Sequence, residues 1–237
     1  MSLHVAIATY VSTGAYDSNT VDEDAFLSKL LEELGISYEL LAWSDPDVDW
    51  SRFTHVLIKS TWDYFDYYPE FLFWLNRLET QGIPVLNEVP ILRWNSSKNY
   101  LLELKAKGYP CVAGQILPKG TVITLEELHD AIHADTLVIK PLVSGGAKNT
   151  LKIQRGAGKE VEQKVASLLQ EEDFLVQRYI PEIVEVGEYS LLFLMKFFPM
   201  PYSSLQLWMI LGCSITMEEQ FRRFYQVNPC LPQLRHW

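Results

Sequence analysis

Apolar and polar positions alternate in two rhythms along this chain. Residues 5–10 form an apolar run that reads as a buried strand, and a polar loop, 11–20, leads into 22–34. There Phe26, Leu27, Leu30, Leu31 and Leu34 recur at helical spacing, and Gly35 ends the helix. Residues 37–43 and 56–61 read as two further strands, 69–80 as a second helix rich in Phe, Leu and Trp, and 85–87 as a short strand after Gly82-Ile83-Pro84. Strands that alternate with helices predict a small open α/β sheet with parallel strands.

The rhythm changes near Pro90. A helix is expected over 98–107, a strand over 112–117, a helix over 125–133, paired strands over 136–142 and 150–154, a helix over 159–170, and strands over 174–180 and 188–194. Strand here follows strand across short loops, which predicts an antiparallel sheet with helices on one side. Three regions result: 1–90, 91–194, and 195–237, where the pattern breaks down.

Composition narrows the function. With 48% apolar and 21% charged residues the chain is a globular protein with ample material for a core. A formal charge of −10 argues against a nucleic-acid partner, since phosphate backbones need a broad cationic surface. No stretch of about 18 apolar residues is present, so no membrane partner is expected. Cys111, Cys213 and Cys230 lack metal-type spacing, and with no export signal in view a reducing cytoplasm is expected. His129 and His133 lie four apart on an expected helix and read as its solvated face. Trp62, Trp74 and Trp94 read as core residues.

Two lysines carry the chemistry. Lys98 stands in Trp94-Asn95-Ser96-Ser97-Lys98-Asn99-Tyr100, at the expected start of a helix. Lys140 ends the apolar run Leu137-Val138-Ile139, and Ser144-Gly145-Gly146-Ala147 follows closely. Backbone N–H groups of a glycine-containing loop make a concave anion site, and both ammonium groups reach one polyphosphate if that loop folds back. A nucleoside triphosphate is the leading ligand. Plainer readings stay open: Lys98 as a solvated residue, Gly145-Gly146 as a hairpin turn, and Asp63 as a cap for the second helix. No Walker-type or Rossmann glycine motif occurs.

Five segments in order carry a resemblance to a known family. They are Ser60-Thr61-Trp62-Asp63-Tyr64, Arg93-Trp94-Asn95 with Lys98-Asn99-Tyr100-Leu101, Ile139-Lys140-Pro141, Phe174-Leu175-Val176-Gln177-Arg178-Tyr179-Ile180-Pro181-Glu182, and Gly187-Glu188-Tyr189-Ser190-Leu191. Together they resemble the ATP-grasp superfamily, in its glutathione-synthetase-like and cycloserine-synthetase-like ligase branch. The resemblance implies an α/β pre-ATP-grasp domain followed by an α+β ATP-grasp domain that is incomplete at its C-terminus. It implies that Lys98 and Lys140 bind ATP phosphates and that Ser144, Gly145 and Gly146 belong to the loop over them. Gln177 and Tyr179 would lie in the hinge that reads adenine through backbone groups, and Glu188 would bind the ribose hydroxyls. Thr61 and Asp63 would lie near the acceptor substrate. Members join a small carboxylate to an amine through an acyl phosphate, with ATP and Mg²⁺.

After Leu194 the chain departs from that family. Residues 195–237 hold only Glu218 and Glu219 as acids against 28 before them, and four of the five methionines. The family's strands (phenylalanine-serine-histidine-alanine-valine-leucine-lysine, aspartate-phenylalanine-arginine-valine, tyrosine-glycine-glycine-threonine) and its Mg²⁺ carboxylates are missing. Reading each codon's third base with the next two, from Phe197 on, permits those strings in register. Met200 before Pro201 forces alanine, for example, and Met217 before Glu218 forces glycine. A frameshift near Met195 is therefore expected, with weak or absent catalysis and self-association through the unfinished lobe. The readings left open are an altered ligase and an inactive nucleotide-binding or interaction module.

Overall fold

The computed structural model describes residues 3–11, 21–187, 190–194 and 206–210. The chain divides into two compact units, Met1–Tyr179 and Ile180–Trp237.

The first unit begins with a parallel sheet. Strands β1 (His4–Thr9), β2 (Ser37–Ala42), β3 (His55–Ser60) and β4 (Val85–Leu86) lie in the order β2-β1-β3-β4. The four inner residues of β1 are buried in succession, as a central parallel strand covered on both faces requires. Val5 stands opposite Tyr38 and His55, and the β1–β3 register shifts between Ala8 and Thr9, so that Thr9 faces Ser60. Helix α2 (Tyr68–Thr80) starts at a proline, tolerated where the first N–H groups have no helical partner, and buries Phe71, Trp74, Leu75 and Leu78. These side chains meet Ala6, Ala8, Val56, Ile58, Trp43 and Trp50 in one core. The Trp43 and Phe71 rings meet edge-on at 5.3 Å and those of Trp50 and Trp74 at 5.2 Å.

Helix α1 (Val21–Glu33) forms where the periodicity places it, but its apolar stripe is not its buried face. Leu31 is buried, whereas Phe26 and Leu34 are 72% and 63% exposed. A stripe of five residues is wider than the strip of helix that the sheet covers.

Helix α4 (Tyr100–Ala106) forms within the expected span 98–107, and a further short helix, α3 (Val89–Asn95), precedes it. Pro90 lies in the first turn of α3, a position that suits proline. The hydroxyl of Ser96 donates to Arg93 O at 3.0 Å, and such local side-chain bonds compete with helix continuation. Lys98 consequently sits in the turn between two helices rather than on a helix. Trp62 and Trp94 are 42% and 40% exposed, and only Trp74 of the three expected core tryptophans is buried.

An antiparallel sheet completes the unit. Strands β5 (Gly114–Leu117), β6 (Thr136–Pro141), β7 (Leu151–Gln154) and β8 (Phe174–Arg178) lie in the order β5-β8-β6-β7. Helices α5 (Leu125–Ile132) and α6 (Lys159–Leu169) pack on one face, where Leu128, Val165 and Leu169 meet Leu137, Ile139, Ile153, Phe174 and Val176. A reciprocal Thr124–Glu127 capping box starts α5. His129, expected on a solvated face, is instead fully buried in α5, with Nδ1 2.8 Å from Ala134 O. That backbone partner makes burial of one ring nitrogen tolerable.

In the second unit α7 (Glu182–Glu185) precedes β9 (Ser190–Leu194), and β10 (Gln206–Ile210) pairs antiparallel with β9, Gln206 opposite Leu194. Glu188 and the rest of the departing tail lie outside the described residues. Among the described residues no helix is long and apolar enough to cross a membrane.

Candidate functional site

The face of the antiparallel sheet turned away from α5 and α6 carries Lys140 and Gln177. Alternation along β6 sends Leu137 and Ile139 into the core and leaves Val138 and Lys140 half-buried on the other face. Leu175 stands opposite Lys140 and Gln177 opposite Val138, so these side chains share that face. Lys98 reaches the same region from the α3–α4 turn, which two contacts hold in place. Its backbone N–H donates to Leu142 O, just beyond β6, at 2.8 Å, and Tyr68 Oη lies 3.0 Å from Ser96 Oγ.

The Lys98 ammonium donates to Ser144 O at 3.1 Å and to Ser144 Oγ at 2.8 Å. Its pKa is lowered to about 8, first by burial and then by the positive charge of Lys140, with Glu172 opposing both. The Lys140 charge thus acts on the Lys98 ammonium beside a glycine loop, a like-charge repulsion that a bound anion would relieve. Glu172 stands by the pair. Burial raises its carboxyl pKa, while a hydrogen bond with Asn149 and the charges of Lys148 and Lys98 pull the other way.

The loop from Ser144 to Asn149 contains more than glycine flexibility. Gly146, Ala147 and Asn149 take φ of 56°, 58° and 53°. Glycine adopts that region freely and asparagine with little penalty; Ala147 holds it only under constraint. Gly145 lies against Phe65, and Lys148 pairs with Asp66, so the loop touches the β3–α2 connection of the first sheet.

Gln177 is buried within β8, between Gly114 of β5 and Val138 of β6, and its amide donates to Val112 O at 3.3 Å. A Cβ on Gly114 would meet Val176 O at 2.6 Å and Gln177 Cγ at 2.7 Å, so only glycine fits there. The Tyr179 N–H donates to Thr136 O at 2.9 Å, and Lys152 Nζ lies 3.7 Å from the Tyr179 ring centroid. Hence the Tyr179 N–H is already engaged within the sheet.

Asp63 and Thr61 occupy the carboxyl end of β3, where open parallel sheets present ligand groups. Asp63 is buried and accepts the Trp43 indole N–H at 2.6 Å, while Tyr67, the residue before α2, caps that helix without a side-chain bond. The capping reading of Asp63 therefore gives way to a cross-strand link. Asp63 also lines a cavity of about 640 Å³ walled by Trp43, Trp74, Asp66, Glu70 and Arg77 among others. Thr61 is half-buried beside it, its carbonyl accepting the Tyr64 N–H at 3.1 Å.

A family model described as "D-cycloserine synthetase DcsG, N-terminal domain" matches residues 5–87. Over 185 residues the chain is 29% identical to the cycloserine biosynthesis protein DcsG of Streptomyces lavendulae, covering 75% of this chain and 61% of that protein. The crystal structure of D-cycloserine synthetase DcsG matches with a TM-score of 0.66 at 27% identity, over 79% of this chain and 63% of the other. Its fold is that of the ATP-grasp ligases. D-alanine–D-alanine ligase from Bacillus anthracis, in complex with ATP, shares this ATP-grasp fold with a TM-score of 0.53 at 17% identity, over 76% of this chain and 59% of that one. The chain thus spans about three fifths of the length of the cycloserine relatives it matches.

The chain pairs the α/β domain and the antiparallel sheet in the ATP-grasp order. Among the described residues no group of three or more His, Cys, Asp or Glu side chains gathers to hold a metal ion. Phe65, Asp66, Lys148 and Glu172 escape sequence reasoning. None belongs to a motif, and only the folded loops bring Phe65 and Asp66 to the glycine loop and Glu172 to Lys98.

Proposed function

We propose that this chain is the nucleotide-binding portion of an ATP-dependent carboxylate–amine ligase working through an acyl phosphate. The Lys98 ammonium held on Ser144 of the glycine loop, close enough to Lys140 to feel its charge, carries this reading. Lys98 and Lys140 neutralise the polyphosphate, and backbone N–H groups of the loop cover it. The Gln177–Tyr179 segment receives adenine on the sheet face that Gly114 keeps open. Glu188 takes the ribose, and the Asp63 cavity, with Thr61 at its margin, takes the small carboxylate or its amine partner. The regions of the chain in this reading are 1–90, 91–194 and 195–237.

In the reaction a carboxylate oxygen attacks the γ-phosphorus and the bond to ADP breaks. The amine nitrogen then attacks the acyl carbon, phosphate leaves, and the ammonium proton is lost to solvent. Mg²⁺ would supply charge neutralisation on the phosphates, but among the described residues no cluster of three His, Cys, Asp or Glu side chains would hold it. What the lysines do is bind and orient the triphosphate, which for phosphoryl transfer is much of catalysis.

Isothermal titration with ATP tests this reading. Binding that falls at least about tenfold in both Lys98→Met and Lys140→Met supports it, as loss of a charge-assisted phosphate bond predicts. Binding indifferent to both substitutions overturns it. Binding with no ADP release in the presence of carboxylate and amine favours the inactive-module reading. The cycloserine relatives suggest amino-acid-like carboxylates as the first substrates to assay.

A further inference from the structure

The loop between β6 and β7 is fastened at two ends. At one, Ser144 accepts both hydrogen bonds of the Lys98 ammonium. At the other, Lys148 pairs with Asp66, and its Nζ lies 5.8 Å from the Phe65 ring centroid. The Phe65 ring packs so closely on Gly145 that a Cβ there would sit 2.5 Å from Cε1. Between the fastenings lie the left-handed residues Gly146 and Ala147, and left-handed Asn149 follows directly. Ala147 has neither the missing Cβ of glycine nor the short polar side chain of asparagine to ease that conformation, so external contacts must hold it.

The two fastenings bear on one event. A phosphate oxygen can use the Lys98 ammonium fully only if Ser144 gives up its bonds, so the loop must shift. A shift of Ser144 and Gly145 pulls on Lys148 and Phe65. Asp66 also lines the 640 Å³ cavity at the end of the parallel sheet. One carboxylate thus belongs both to the loop's anchorage and to the wall of the neighbouring cavity.

We propose that Asp66 and Phe65 are positioning residues, forming a latch that ties the glycine loop to the β3–α2 connection and keeps Ser144 on Lys98 against an incoming polyphosphate. For its ligand this rests on the function proposed above. Releasing the latch frees the loop and tightens nucleotide binding. A cationic cavity ligand that engages Asp66 releases Lys148 from it, so occupation of the cavity favours the nucleotide. The Lys148–Asp66 pair is partly exposed, which limits the effect to about two- to fivefold in affinity.

The test uses the full chain as wild type, Asp66→Asn, Asp66→Glu, and the charge swap Asp66→Lys with Lys148→Asp. Hydrogen–deuterium exchange over residues 144–149 is measured without nucleotide, and ADP affinity by calorimetry for wild type and the two single variants. Exchange over β1 and β3 serves as the folding control. The expected result is faster loop exchange and two- to fivefold tighter ADP in Asp66→Asn, wild-type behaviour in Asp66→Glu, and restored loop protection in the swap. Unchanged loop exchange in Asp66→Asn, a swap as open as the single variant, or weaker ADP binding in Asp66→Asn overturns the latch. If the wild type binds no nucleotide, the proposed function falls and loop exchange alone decides the latch. If nucleotide binds normally but loop exchange never changes, the latch falls and the function stands.

Discussion

Lys98 turns nucleotide binding into a pH-dependent event. Its ammonium pKa lies near 8, first because of burial and then because of the Lys140 charge. A bound polyphosphate supplies the missing counter-charge and returns the pKa to at least the ordinary lysine value. Affinity is therefore full below pH 8 and declines as pH rises above it, because the free protein must take up a proton to bind. From pH 7.5 to 9.5, with a free pKa near 8 and a bound pKa near 10.5, the dissociation constant rises about twentyfold. The terminal phosphate loses its own last proton near pH 6, outside this window. Lys98→Arg keeps a positive charge throughout and should flatten the profile. Stability carries the opposite sign. The folded pKa lies below the unfolded one, so between about pH 8 and 10.5 the unfolded chain binds more protons and stability rises with pH. The assay is calorimetric titration with ATP at half-unit intervals, for wild type and Lys98→Arg. A wild-type change below about threefold, or the same slope in Lys98→Arg, refutes the reasoning.

Other outcomes follow from single contacts. Gly114→Ala pushes a methyl group into the Val176 carbonyl at 2.6 Å and should cost about 1–3 kcal/mol, read as a lower midpoint in urea unfolding. Asp63→Ala strips the Trp43 indole N–H of its buried acceptor and should cost about 1–3 kcal/mol; a midpoint equal to wild type would show that the bond contributes nothing. Gly146→Ala places a Cβ at φ 56° with no contact nearby, so about 1 kcal/mol of backbone strain should appear in loop exchange more than in global unfolding. Coding DNA read one base out of phase from about codon 195 should yield the family's missing strings, and a sequence that does not would dispose of the frameshift.

Much of this protein was legible in the order of its residues. The apolar run of β1, the proline at the head of α2 and the lysine ending β6 each report a local requirement: burial on two faces, a free first turn, a charge on the face turned from the core. Five short motifs in succession pointed to the ATP-grasp architecture before any coordinates. What local pattern could not supply was coverage and convergence. The stripe of α1 predicts a helix but not that Phe26 stays in solvent, and the spacing of His129 does not reveal a backbone acceptor five residues on. Asp66 and Lys148 are 82 positions apart, and only the packing of one loop on another makes them partners. Periodicity follows from steric rules within a few residues, whereas a site is set by which distant surfaces the core brings into contact. The lysine depressed to about 8 belongs to that second kind, since its burial and its like-charged neighbour exist only in the folded chain.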